Sequence, residues 1–224
     1  MRGGNTIEII AEKKAKELIL RANEHKAQVK TMMEGLQNDN AKLSPHYEQF
    51  MIKSEDSLKE KILTRLNEEI QTGKQLPSSE VPAWVDKIVM NIGDYLRFTY
   101  IIDKDNYVSE VVRIVQTLKK KEFECLKFKP EKKDNRWELG DYYQGINTVY
   151  KCRDLPPIEI QFHTPDSIHI KEDKIHPIYE EWRKIPCKSR QKNIIDCERW
   201  EDDMLEYEKQ ILIPTCLFPS VEYT

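Results

Sequence analysis

Apolar residues fall at helical spacing from Ile7 to Leu36, at Ile7, Ile10, Ala11, Leu18, Ala22, Val29, Met32, Met33 and Leu36, with lysines and glutamates between them. That pattern predicts a surface helix laid on a core. Asn38 to Pro45 is a polar break. A second helix is expected from Ser54, where Ser54-Glu55-Asp56 offers a cap and first-turn acids. It runs through Leu58, Ile62, Leu63, Leu66 and Ile70 and stops at Gly73. Gly73 to Pro82 reads as a flexible connection. Beyond it the period changes. Leu96 to Ile102 is rich in aromatic and β-branched residues and predicts a strand. Val108 to Leu118 returns to helical spacing, and Glu122 to Phe128 reads as a strand. Ile146 to Lys151 and Ile158 to His163 are short strands joined by a proline-containing turn over Arg153 to Pro157. Helix is expected again from Asp166 to about Lys184 and from Ser189 to Ile211. Helices, then a mixed sheet with one helical crossover, then helices: this order is that of an α+β domain.

Composition narrows the field. The chain has 224 residues, enough for one substantial domain or two small ones. With 39% hydrophobic and 33% charged residues it has a core to bury, and disorder is not expected. A net charge of -3 excludes a uniformly basic nucleic-acid coat, although Lys119 to Arg136 and Arg183 to Lys192 are locally basic. Mean hydropathy is -0.70, and no stretch approaches the roughly 20 apolar residues of a membrane span. The N-terminus lacks the apolar core of a signal peptide. Cys125, Cys152, Cys187, Cys197 and Cys216 lie far apart with no C-x-x-C pair, which supports neither a zinc knuckle nor a disulfide framework. The expectation is a soluble, cytoplasmic protein.

Three constellations carry chemistry. In Lys53-Ser54-x-x-Ser57-x-x-x-Lys61, Ser57 and Lys61 share a helix face and Lys53 lies just before the first turn. Two ammonium groups, a hydroxyl and free helix N-terminal amides suit a polyphosphate; a capped amphipathic helix with solvated lysines explains the same letters. The second constellation is Asp94, at the entry of the apolar strand, with Glu159. Alternation along Ile158-Glu159-Ile160-Gln161-Phe162-His163 puts Glu159, Gln161 and His163 on one face. Two carboxylates from neighbouring strands form a platform for Mg²⁺ and a nucleotide; a sheet whose polar face looks at solvent accounts for the pattern equally. The third runs from Trp137 through Tyr142, Tyr143, Gln144 and Gly145 to Thr148, where an aromatic beside a glycine offers a stacking surface to a purine. Buried core tyrosines explain the same letters more often than not. His163, His169 and His176 match no standard zinc spacing and are expected to be neutral hydrogen-bonding groups.

Taken in this order, the motifs resemble the synthetase domain of the RelA/SpoT family, the alarmone synthetases. Lys53-Ser54-x-x-Ser57-x-x-x-Lys61 resembles the family's K-S-x-x-S-x-x-x-K segment, and Asp94 its metal-binding aspartate. Tyr143-Gln144-Gly145-Ile146-Asn147-Thr148 resembles its substrate loop, and Glu159 to Thr164 its E-[IV]-Q-I-R-T strand. Glu172, His176 and Tyr179 fall where the family has a helix bearing E, H and Y. Glu159 to Ser167 and His176 to Arg183 are closest in texture to small stand-alone, toxin- or phage-associated members.

The resemblance implies a nucleotidyltransferase-like sheet over residues 51–185, with an N-terminal helical extension over 1–50 and a C-terminal helix and tail over 186–224. An extension of about fifty residues is too short for a hydrolase domain. The activity implied is Mg²⁺-dependent transfer of pyrophosphate from ATP to a 3′-hydroxyl of a guanine or adenine nucleotide, or of tRNA as in toxin-like members. Asp94 and Glu159 would bind the metal and act as the catalytic pair. Lys53, Ser57, Lys61 and Arg97 would hold ATP phosphates, and Tyr143, Asn147, Gln161 and His163 the acceptor. An antitoxin or a second copy of the chain is the implied protein partner. The sequence departs from the family pattern at Met51, Leu139, Asn147, His163 and Arg97, which bears mainly on the acceptor. A catalytically inactive nucleotide-binding module of the same fold is the alternative.

Overall fold

The computed structural model describes residues 3–71, 79–127, 144–178 and 181. Helix α1 (Gly3–Glu34) buries Ala11, Ala15, Leu18, Ala22, Val29 and Met33, one stripe at spacings of three and four with a single gap. Three of these are alanines, so, beyond the one-turn helix α2 (Tyr47–Phe50), the backbone of α3 (Glu55–Gln71) can lie close against α1. Leu58, Ile62 and Leu66 of α3 face that stripe, and Val81, Val85 and Ile88 of α4 (Val81–Met90) close the layer. Helix α4 was not expected from the sequence. It starts inside the stretch read as a flexible connection, with Pro82 in the first turn, where a missing N–H costs nothing. The polar break after α1 likewise contains a strand, β1 (Ala41–Leu43), whose turn is set by Asn38: its Oδ1 accepts from the N–H groups of Asn40 and Ala41.

The sheet follows from four strands found where expected. Strands β2 (Arg97–Ile102), β3 (Glu124–Lys127), β4 (Ile146–Lys151) and β5 (Ile158–His163) join β1 in the order β1-β2-β5-β4-β3. Only β2 and β5 run parallel. The register aligns Phe98 with Ile160 and Thr148, and Tyr100 with Phe162 and Ile146, so these side chains share one face. That face is fully buried and carries the core. It is covered from the end of α1, where Tyr100 OH donates to Met33 O (2.6 Å), and by α5 (Tyr107–Lys120), where Tyr107 OH donates to Phe162 O (2.8 Å). Buried Glu110 of α5 accepts from Asn38 and Arg113, tying α5 to the turn that follows α1.

The opposite face carries a different set. Arg97 aligns with Glu159, and Thr99 with Gln161 and Asn147. This is the polar face that alternation predicted, but Glu159 and His163 on it are buried rather than solvated. After β5, Thr164 and Ser167 cap each other reciprocally and start α6 (Pro165–Ile170), which passes into a π-helical turn over Lys171–Ile175. The last helix expected from Ser189 lies outside the described residues.

Candidate active site

The site forms where α3, the segment before it and the entry to β2 converge. Residues 51–53 run antiparallel to residues 95–97, through an Ile52–Leu96 bridge, the Lys53 N–H on Tyr95 O (3.1 Å) and the Arg97 N–H on Met51 O (2.9 Å). This pairing puts Lys53 beside Asp94. Helix α3 begins two residues later, its first turn closed by the Ser57 N–H on Ser54 Oγ (3.3 Å), and Ser54 Oγ also lies 2.9 Å from Ser57 Oγ. Two turns in, Lys61 arrives over the same carboxylate. Lys53 Nζ lies 3.0 Å from Asp94 Oδ2, and Lys61 Nζ donates to that same oxygen. The side chains of Lys53 and Asp94 are only 16% and 15% exposed.

Burial raises the Asp94 carboxyl, but the two ammonium charges outweigh it and hold its pKa down at about 2. Lys61 is pulled below its ordinary value by burial and by neighbouring Lys53 and Arg65, with Asp94 opposing. The other Asp94 oxygen, Oδ1, is buried and has no hydrogen-bond partner among the described residues. A buried carboxylate oxygen left bare next to a second carboxylate is the donor set a hard cation takes.

That second carboxylate is Glu159, one strand over and 8% exposed. Burial raises its pKa and the Asp94 charge adds to the effect. Asn147 on β4 donates its Nδ2 to Glu159 Oε1 (2.9 Å), which orients the carboxylate. Arg97, in register with Glu159, turns its Nε to Phe50 O (2.9 Å). Met51 is fully buried and cannot reach a ligand.

Gln161 lies in the next row, with Oε1 accepting from Lys171 Nζ at 3.0 Å. His163 is fully buried, Nδ1 3.0 Å from Ser167 Oγ, and burial together with the Lys171 charge holds its imidazole well below its ordinary pKa. Its ring packs under Gly145: a Cβ there would stand 2.8 Å from His163 Cε1. The structure therefore places His163 beneath the loop before β4, while Lys53, Ser57, Lys61, Asp94, Glu159, Asn147 and Gln161 gather around α3 and the sheet face. Tyr143, Trp137, Leu139, Tyr179 and Arg183 lie outside the described residues. Lys171 was missed in the sequence, where it sits in an ordinary polar run, Lys171-Glu172-Asp173-Lys174. Among the described residues no group of three or more His, Cys, Asp or Glu side chains could hold a metal, so a cation here has two carboxylates and whatever a ligand brings.

No family model and no curated protein matches the chain. Among solved structures it is similar to the Type VI effector Tas1 in complex with its immunity protein, at 18% identity, covering 88% of this chain and 97% of that one, with a TM-score of 0.45. It is also similar to small alarmone synthetase 2 from Bacillus subtilis (14% identity, 92% and 98% covered, TM-score 0.38). Small alarmone synthetase 1 from Bacillus subtilis, bound to its product pppGpp, gives 12% identity, 88% and 94% covered and a TM-score of 0.41. At such scores the likeness carries nothing about a reaction.

Proposed function

We propose that this chain is a RelA/SpoT-like synthetase that transfers pyrophosphate from ATP to a 3′-hydroxyl of a nucleotide or of tRNA, with Mg²⁺ as cofactor. The observation that carries this reading is the joining of the first two motifs: Asp94 between Lys53 and Lys61, beside buried Glu159. Phosphoryl chemistry needs positioned positive charge and held metal more than covalent help from the protein. Lys53, Lys61 and the hydroxyl of Ser57 would grip the donor phosphates, the ammonium groups exchanging Asp94 for phosphate oxygens. Asp94 and Glu159 would hold Mg²⁺, which when bound neutralises charge on the phosphates.

Glu159 has a second role as the base that takes the proton from the attacking hydroxyl. Its raised affinity for a proton suits that task, and Asn147 keeps it oriented. Asn147 and Gln161 line the acceptor side of the sheet face. Arg97 reaches the donor side, with its guanidinium anchored on the Phe50 carbonyl. His163 acts on the acceptor through Gly145 rather than by touching it.

The test is incubation with γ-³²P-ATP and Mg²⁺ plus, separately, GDP, GTP, AMP, ADP, ATP and bulk tRNA. Because the β,γ-pyrophosphate moves as a unit, the label travels with the acceptor and identifies it. Transfer to a mononucleotide makes the chain an alarmone synthetase, and transfer to tRNA makes it a toxin-like enzyme. Mg-ATP binding by calorimetry with no labelled product would replace this reading with a nucleotide-binding module.

A further inference from the structure

Two amides on the acceptor side are locked in opposite senses by charged neighbours. Gln161 and Asn147 are direct cross-strand partners on one face, with Cβ atoms about 5 Å apart. An ammonium group carries donors only, so Lys171 takes the carbonyl oxygen of Gln161 and leaves its Nε2 amino group turned away. The Glu159 oxygen accepts the amino group of Asn147, which leaves Asn147 Oδ1. Neither Gln161 Nε2 nor Asn147 Oδ1 is buried without a partner, and neither makes a hydrogen bond among the described residues. The sheet face thus presents a donor beside an acceptor, one row from Glu159.

Lys171 is built for this hold. Its side chain is 18% exposed, and its Nζ bonds both Gln161 Oε1 (3.0 Å) and Glu172 Oε1 (2.9 Å). It opens the π-helical turn Lys171–Ile175, where the wider turn shifts the helix face by about one residue. Taking an ammonium that far out of water is costly unless it is paired, and here one of its partners is an uncharged amide on the site face.

We propose that Lys171 is a specificity-determining positioning residue, which fixes Gln161 as a donor so that Gln161 and Asn147 together seat the 2′-hydroxyl of a ribose acceptor. A hydroxyl both donates and accepts, so one 2′-hydroxyl satisfies Asn147 Oδ1 and Gln161 Nε2 at once. Its 3′-neighbour then lies toward Glu159. The inference rests on the pyrophosphotransfer reading and adds a selection for ribo- over 2′-deoxyribo-acceptors.

The experiment compares label transfer from γ-³²P-ATP to GDP and 2′-deoxy-GDP, to ADP and 2′-deoxy-ADP, and to tRNA ending in adenosine or 2′-deoxyadenosine. It is paired with the NMR signals of the Gln161 side-chain amide in the substrate-free chain. The wild-type chain is expected to favour the ribo acceptor by at least about tenfold in kcat/KM. Lys171→Met should reduce that preference to within about threefold, leave the KM for ATP within about twofold, and collapse the Gln161 amide pair to its free-chain position. Lys171→Arg, which keeps the donors, should restore the preference. Equal use of ribo and deoxy acceptors by the wild type, or an unchanged preference and amide signal in Lys171→Met, overturns the proposal and leaves pyrophosphotransfer standing. If the wild type labels no acceptor, the transfer reading falls and takes the ribose selection with it; the amide signal then reports separately whether Lys171 holds Gln161.

Discussion

Asp94 is a half-buried carboxylate and Glu159 a buried one, and their surroundings push them in opposite directions: two ammonium groups hold Asp94 down, and burial beside Asp94 pushes Glu159 up. Separating two acids in this way assigns them different tasks, one always charged and one able to take a proton. Glu159→Gln keeps the shape and an oxygen for Asn147 but removes the base. It is expected to lower transfer by about three powers of ten in the labelled assay. In thermal unfolding the same variant should be as stable as the wild type or more so, because a buried charge has been removed. Asp94→Asn should do the reverse, leaving two ammonium groups facing each other without a counter-charge. A loss of about 3 kcal/mol is expected, and millimolar inorganic pyrophosphate should recover much of it by filling the gap between Lys53 and Lys61. A variant whose Tm ignores pyrophosphate would count against the phosphate grip.

Among the elements, the close approach of the α4–β2 connection to β4 sets the position of Asp94. Gly93 sits so near Val149 that a Cβ would stand 2.7 Å from Val149 Cγ1. Gly93→Ala therefore has to push the connection off the sheet, at a cost of about 1–3 kcal/mol. Because Asp94 is the next residue, activity should fall further than stability does. Val149→Ala in the same chain should restore both, read out by denaturant unfolding and the transfer assay together.

For the molecule as a whole, pH dependence separates the buried groups. The Asp94 carboxylate, at about 2 against an ordinary 3.8, contributes about 2 kcal/mol that is present in full above pH about 4 and is lost as pH falls toward 2. His163 acts at higher pH. Its folded value is depressed, so below about pH 6.5 the unfolded chain takes a proton that the folded chain refuses, and stability declines as pH drops. Glu159 works against this: its raised value makes the folded chain take a proton first, so stability is lost as pH rises through that value. Melting curves in the Glu159→Gln background should therefore show a steeper decline below pH 6.5 than the wild type, and His163→Asn should flatten it. Helix α1 belongs to the same hydrophobic core as the sheet, and no helix among the described residues is long and apolar enough to cross a membrane.

Periodicity alone was enough to place α1, α3, α5 and strands β2 to β5, because each buries one stripe or face and the repeat of that face is written into the chain. Besides the one-turn α2, it missed β1 and α4. The first is three residues held by an Asn38 turn, and the second is ten residues hidden behind a proline-containing connection. The candidate carboxylates and lysines were legible as residue types in order, since donor groups and spacing are properties of the chain. That Lys53 and Lys61 meet on one oxygen of Asp94 was not, because it depends on residues 51–53 pairing with 95–97, a contact between distant segments. Alternation put His163 on the polar face, but whether a side chain there meets ligand or protein depends on what packs above it, and here that is Gly145. The sequence by itself determined which chemical groups the chain carries and which faces it must bury. Only the tertiary structure decided which of those groups lose their water together and which charges they meet there: two lysines hold Asp94 down against its burial, burial beside Asp94 pushes Glu159 up, and Lys171 comes onto Gln161.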